Sequence, residues 1–143
     1  MNRAMVTAKW LLRLMGSLIC LSFFAIFLPW SWMDGIHAWA GLGRLPQEPI
    51  VEYLARTISA MYCAHGLVVL FVSTNVQRYW PLVGLLGVVN LFLGTVILFT
   101  DLTASMPWLW TVIEGPSIVV GGVLLLILWN YGRSDNCQAP ISS

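Results

Sequence analysis

Apolar residues along this chain gather into four runs, at about 10–30, 57–74, 82–100 and 108–130, with short polar interruptions between them. A hydrocarbon core about 30 Å thick needs about 20 apolar residues at 1.5 Å of rise each, so each run predicts a membrane-spanning helix. Only one connection, about 31–56, has appreciable length. Within it Trp32, Met33, Ile36, Trp39 and Ala40 recur at helical spacing, which predicts a short amphipathic helix over 31–42 lying in the membrane interface. Gly41-Leu42-Gly43 ends that helix, Pro46 and Pro49 mark a turn, and Glu52-Tyr53-Leu54 leads into the second span. The pattern predicts an all-α polytopic membrane protein. Its single domain, 1–132, is an antiparallel four-helix bundle, followed by a polar tail over 133–143.

Each span also carries a stripe of small or polar residues. At about 100° per residue, Gly16 and Cys20 share a side of the first span with Phe23 and Phe27. Arg56, Ser59, Cys63 and Gly66 align in the second; Gly84, Gly87, Asn90, Gly94 and Asp101 in the third; Glu114, Ser117 and Gly121 in the fourth. Small residues let helices approach closely in lipid, so the stripes are expected to meet inside one bundle.

Composition supports the same class. Of 143 residues, 59% are hydrophobic and only 9% charged, with a mean hydropathy of +0.82, whereas about a quarter of the residues in a soluble domain are charged. Seven Lys and Arg against six Asp and Glu leave no basic patch, which excludes a nucleic-acid partner. The three cysteines, Cys20, Cys63 and Cys137, form no C-x-x-C and lie near no histidine at zinc spacing. No metal centre and no cofactor is expected.

Charge and tryptophan orient the chain. Arg3, Lys9 and Arg13 precede the first span, Arg78 lies in the second loop and Arg133 follows the fourth span, whereas the other side mixes Arg44 and Arg56 with Asp34, Glu48, Glu52 and Asp101. The positive-inside rule then places both termini in the cytoplasm of a bacterial inner membrane. All eight tryptophans fall at expected boundaries: Trp10, Trp80 and Trp129 inside, and Trp30, Trp32, Trp39, Trp108 and Trp110 outside. The basic start before an apolar run also describes a secretory signal. The run is long, however, and ends in Leu28-Pro29-Trp30 without a small-x-small site, so it reads as an uncleaved first span.

Ionisable groups inside spans cost roughly 2.5–3.5 kcal/mol on insertion scales and normally find a partner or line a cavity. Glu114 lies about six residues past Trp108, Asp101 ends the third span and Arg56 opens the second, all near one level. They form the candidate polar cluster, with Arg56 expected to neutralise one carboxylate. An interhelical ion pair that only pins helix ends satisfies the same pattern. Ser59, Tyr62, His65, Asn90 and Ser117 are secondary candidates; His65 and Asn90 fall near the midplane. No nucleophile elbow, H-E-x-x-H, phosphate-binding loop or EF-hand is present.

The run Tyr53-Leu-Ala-Arg56-Thr-Ile-Ser59-Ala-Met-Tyr62-Cys-Ala-His65-Gly66, followed by Ser73, Arg78-Tyr79, Pro81-Leu82, Asp101, Met106-Pro107-Trp108 and Trp110-Thr-Val-Ile-Glu114-Gly115-Pro116, resembles a group of uncharacterised small bacterial four-helix integral membrane proteins. That resemblance covers roughly residues 36–120 and implies the fold without naming a chemistry. Small multidrug transporters also bury a single glutamate, but theirs lies in the first span, which has no acid here. DoxX-like proteins share the architecture and a glycine-rich core without a matching motif. The expected role is a binding or accessory protein in the lipid bilayer, with a membrane-protein partner, a second copy of itself or a lipid-like ligand. The alternatives are a small proton-coupled transporter using Glu114, or an intramembrane acid–base enzyme on an apolar substrate.

Overall fold

A computed structural model describes residues 3–137, with side chains described as far as Arg133. Its helices are α1 (Arg3–Cys20), α2 (Ser22–Phe27), α3 (Trp30–Trp39), α4 (Pro49–Thr74), α5 (Trp80–Thr103) and α6 (Trp108–Cys137). Four helical segments are long and apolar enough to cross a membrane: Arg3–Phe27, which joins α1 to α2, and Pro49–Thr74, Trp80–Thr103 and Trp108–Arg133. The chain is a four-helix membrane protein. Its helices overrun the apolar runs because polar residues at headgroup level extend them. α4 starts two turns early, where Pro49 occupies the first turn and Glu52 sits near the positive helix end. α6 likewise continues past Gly132 to Cys137, so the first part of the expected tail is helical. Residues 138–143 of that tail lie outside the described residues.

Glycines decide which helices pair. A Cβ on Gly16 would lie 2.8 Å from Leu70, and one on Gly66 2.7 Å from the Cys20 sulfur, so α1 and α4 cross at these two positions. α5 and α6 meet just as closely, since a Cβ on Gly94 would lie 2.7 Å from the Val119 amide nitrogen and one on Gly122 2.7 Å from that of Leu91. The fold is thus two tight pairs, α1/α2 with α4 and α5 with α6, joined mainly where α1 lies against α6. The four stripes do not converge on one axis; they close two by two. On α6 the face packed against α5 carries Gly115 and Gly122 rather than the expected Glu114, Ser117 and Gly121, and Gly121 instead receives Met15 of α1.

Between the pairs, a dry core of Met5, Ala8, Leu12, Val69, Val72, Val76, Trp80, Val83, Leu86 and Leu125 fills the end that carries the termini. Trp80 belongs to this core, only 7% exposed and packed over Gly132, and is not the interfacial belt residue that its position in the sequence implied. Three arginines at this end stack on rings, Arg13 on Trp10, Arg78 on Tyr79 and Arg133 on Trp129. Such aromatic and basic residues suit a headgroup boundary.

The opposite end is held differently. α2 buries none of its residues, and neither does α4 before Gly66. α3 forms where the first loop was expected to be helical, and Gly41 and Gly43 adopt the left-handed conformation that turns the chain after it. Asp34 then ties the loop back, accepting the Leu45 amide at 2.8 Å and pairing with Arg44 at 3.4 Å. Met33 is the buried residue of α3, while Trp32, Ile36 and Trp39 stand exposed, the disposition of a helix lying in an interface.

Candidate functional site

α4 turns two faces inward, about 120° apart on the helical wheel. One carries Glu52, Arg56, Ser59, Cys63 and Gly66 toward α1 and α2. The other carries Tyr62, His65, Val69 and Val72 toward the α5–α6 pair. This division decides the fate of the expected cluster. Arg56 does not join Asp101 and Glu114: its guanidinium holds Glu52, one turn earlier, at 2.8 and 2.9 Å, and donates to the carbonyls of Ile26 and, at 3.3 Å, Leu28. Those carbonyls lie where α2 ends before Pro29, in the last turn of a helix, which has no amide donors of its own to offer them. A five-donor guanidinium at a helix C-terminus supplies what that turn lacks.

The two acids, in contrast, lie on the side of the fold that faces away from Arg56. Asp101 on α5 and Glu114 on α6 are within electrostatic reach of each other, as is Tyr62 of α4 with Glu114, and the Trp110 indole lies within polar-contact range of the Glu114 carboxyl. Among the described residues the ion pairs are Arg44–Asp34 and Arg56–Glu52, so neither acid has a cationic partner. Asp101 is 7% exposed and its Oδ2 is buried without a hydrogen-bond donor. His65 Nε2 and Asn90 Nδ2 are also buried and unpartnered.

These groups share the faces that form the dry core further down. Asn90 and Asp101 continue the α5 row of Val83 and Leu86; Glu114 continues the α6 row of Gly121 and Leu125; Tyr62 and His65 continue the α4 row of Val69 and Val72. The seam between the pairs is therefore apolar and filled at the termini end, and polar and incompletely satisfied toward α3. Unpaired polar groups are costly to bury, and in hydrocarbon they normally find a partner or line a cavity.

Two clefts open beside these acids. One, of 550 Å³, lies between α3 and α6 and is walled by Trp39, Ala40, Leu109, Trp110, Ile113 and Glu114. The other, of 370 Å³, lies at the α5–α6 turn and includes Asp101, Met106 and Thr111. The first cleft falls within the range of about 300–1,000 Å³ common for small-molecule sites, and one polar group on apolar walls is the usual composition of such sites. Pro116, inside α6, has no amide to offer the Val112 carbonyl, which loosens the helix beside both clefts.

The secondary candidates divide. Tyr62, His65 and Asn90 lie on the seam. Ser59 bonds the Ala55 carbonyl at 2.8 Å on the Arg56 face, and exposed Ser117 bonds the Glu114 carbonyl at 2.9 Å; both satisfy their own helix and stand apart from the acids. Sequence reading missed Trp39, Trp110 and Glu52. Two of these had a signal, because Glu52–Arg56 and Trp110–Glu114 are both i,i+4 pairs, the spacing at which helical side chains touch. Trp39 had none, since its place over α6 is set by the path of the first loop. Among the described residues no group of His, Cys, Asp and Glu is arranged to hold a metal ion. No family model, curated protein or solved structure matches the chain, so the likeness seen in its motifs contributes no activity and the function has to be argued from the site.

Proposed function

We propose that this protein is a membrane-embedded binding protein that holds a lipid-like molecule in the cleft between α3 and α6. The observation that carries this reading is the cleft's composition: five apolar residues, two of them tryptophans, around the single carboxylate of Glu114. An amphiphile matches both parts, its chain lying along Leu109 and Ile113 and its head near Glu114. The dry core at the termini end supports binding over passage, because buried Leu12, Val69, Val83 and Leu125 fill the seam there. A proton-coupled transporter or an acid–base enzyme would use the same glutamate but would need, respectively, a second opening or a second group in contact with substrate.

The same reading places the protein in a bacterial inner membrane with its termini cytoplasmic, supported by the ring-stacked Arg13, Arg78 and Arg133 at the termini end. The cleft then opens in the outer leaflet. Native mass spectrometry of the full chain, purified in a mild neutral detergent, tests the proposal. Wild type is expected to retain one lipid-like molecule per chain, and Ile113→Trp, which fills the cleft, is expected to lose it. Equal retention by both would overturn the assignment of the cleft.

A further inference from the structure

We infer that the cleft selects amphiphiles whose head is a positively charged ammonium group, an inference that rests on the lipid-binding reading above. Three observations lead there. Charge comes first: the Asp101 and Glu114 carboxyls are within electrostatic reach of one another, while Arg56 is engaged by Glu52 and by two backbone carbonyls. Acids that lack a counter-ion favour a cationic head brought beside them over phosphate or carboxylate heads. Second, Asp101 is more than nine-tenths buried with an oxygen that lacks any donor. It lines the neighbouring cleft at the α5–α6 turn, so it adds an unsatisfied acidic oxygen beside the Glu114 cleft without entering it.

The third observation is aromatic. Trp39 and Trp110 line the cleft together with Glu114, and the Tyr62 phenol lies within electrostatic reach of the same carboxyl. Ring faces carry negative charge density and attract ammonium groups, quaternary ones especially, because their methyls leave no hydrogen bonds to satisfy. A carboxyl that shares a cleft with two indoles thus suits an alkylammonium better than a hydroxyl, which gains nothing from the rings. Ammonium heads occur both on membrane phospholipids and on free cationic amphiphiles, and the chemistry of recognition is common to them.

The test uses the delipidated full chain in maltoside detergent and three chain-matched probes, dodecyltrimethylammonium, dodecanol and dodecylphosphonate, with bound adducts followed by native mass spectrometry. The ammonium probe is expected to saturate at a concentration about tenfold below dodecanol, with the phosphonate weakest. Glu114→Gln, which keeps size and shape, is expected to erase that preference while the dodecanol adduct remains, and Asp101→Asn to reduce it. Equal binding of ammonium and alcohol, unchanged by Glu114→Gln, overturns the head-group inference and leaves lipid binding standing. Failure of all three probes to bind saturably overturns both. Displacement of the bound ammonium probe by phosphatidylethanolamine nanodiscs assigns the ligand to the membrane, and its persistence assigns it to free amphiphiles.

Discussion

The Arg56 guanidinium sits 2.8 Å from the Glu52 carboxylate on its own helix and reaches across to the end of α2, where it covers the Ile26 and Leu28 carbonyls. The pair is a joint within one half of the fold, between α4 and the end of α2. Glu52 orients the guanidinium, and the guanidinium supplies donors to a helix end that Pro29 leaves open.

Removing the two partners should therefore have unequal effects. Arg56→Ala strands two part-buried carbonyls and is expected to destabilise the protein by about 1–3 kcal/mol, the usual cost of an acceptor left without a donor away from water. Glu52→Gln breaks only a half-exposed i,i+4 pair, worth about 0.3–0.5 kcal/mol. Thermal unfolding of the two variants in detergent measures the difference. Equal losses would mean that the carbonyl contacts contribute nothing.

The glycine crossings give a second contrast. Gly94→Ala and Gly122→Ala each push a methyl to 2.7 Å from a backbone nitrogen of the facing helix, and a backbone cannot swing aside as a flexible side chain can. Each substitution is expected to cost about 1–3 kcal/mol by overpacking. Gly35→Ala, with nothing within 4 Å of the added methyl, is expected to be neutral or to stabilise α3 by up to about 1 kcal/mol through helix propensity. The melting temperatures of the three variants should separate accordingly.

Cysteines report the α1–α4 pairing directly. The Cys20 thiol lies 3.8 Å from the Cys63 carbonyl, and the two side chains interact. In a Cys137→Ser background, oxidation with copper phenanthroline is expected to link Cys20 to Cys63 within one chain, detectable by peptide mass mapping without reduction. Absence of that link, with both thiols still alkylated freely, would contradict the crossing at Gly16 and Gly66.

Orientation is open to an independent check. A reporter fused after the last helix is expected to behave as cytoplasmic, fluorescent as a green fluorescent protein fusion and inactive as an alkaline phosphatase fusion. The opposite result would move the cleft to the inner leaflet. Neutralising Arg13, Arg78 and Arg133 together is expected to weaken this bias, because charge close to the spans sets it.

Much of the fold is legible in the order of residues alone, because spans, the loop helix and the stripes depend on local rules. Length against bilayer thickness sets the four helices, and a period near 3.6 sets which residues share a side. Glu114 and Asp101 stand out as acids in apolar surroundings, and Pro46 and Pro49 mark the turn before the second span. Partner choice is another matter. Lipid chains are as apolar as leucine, so no hydrophobic preference tells one stripe which other stripe to meet; shape at each crossing decides, and shape depends on several helices at once. Tertiary structure alone therefore set Gly66 against Cys20 and Gly94 against Val119, turned Arg56 toward α2 rather than toward the acids, and drew Trp80 into the core. It also left Asp101 and Glu114 within electrostatic reach of each other with no cationic partner among the described residues, because α4 can show only one of its two inward faces to the α5–α6 pair, and its arginine is on the other.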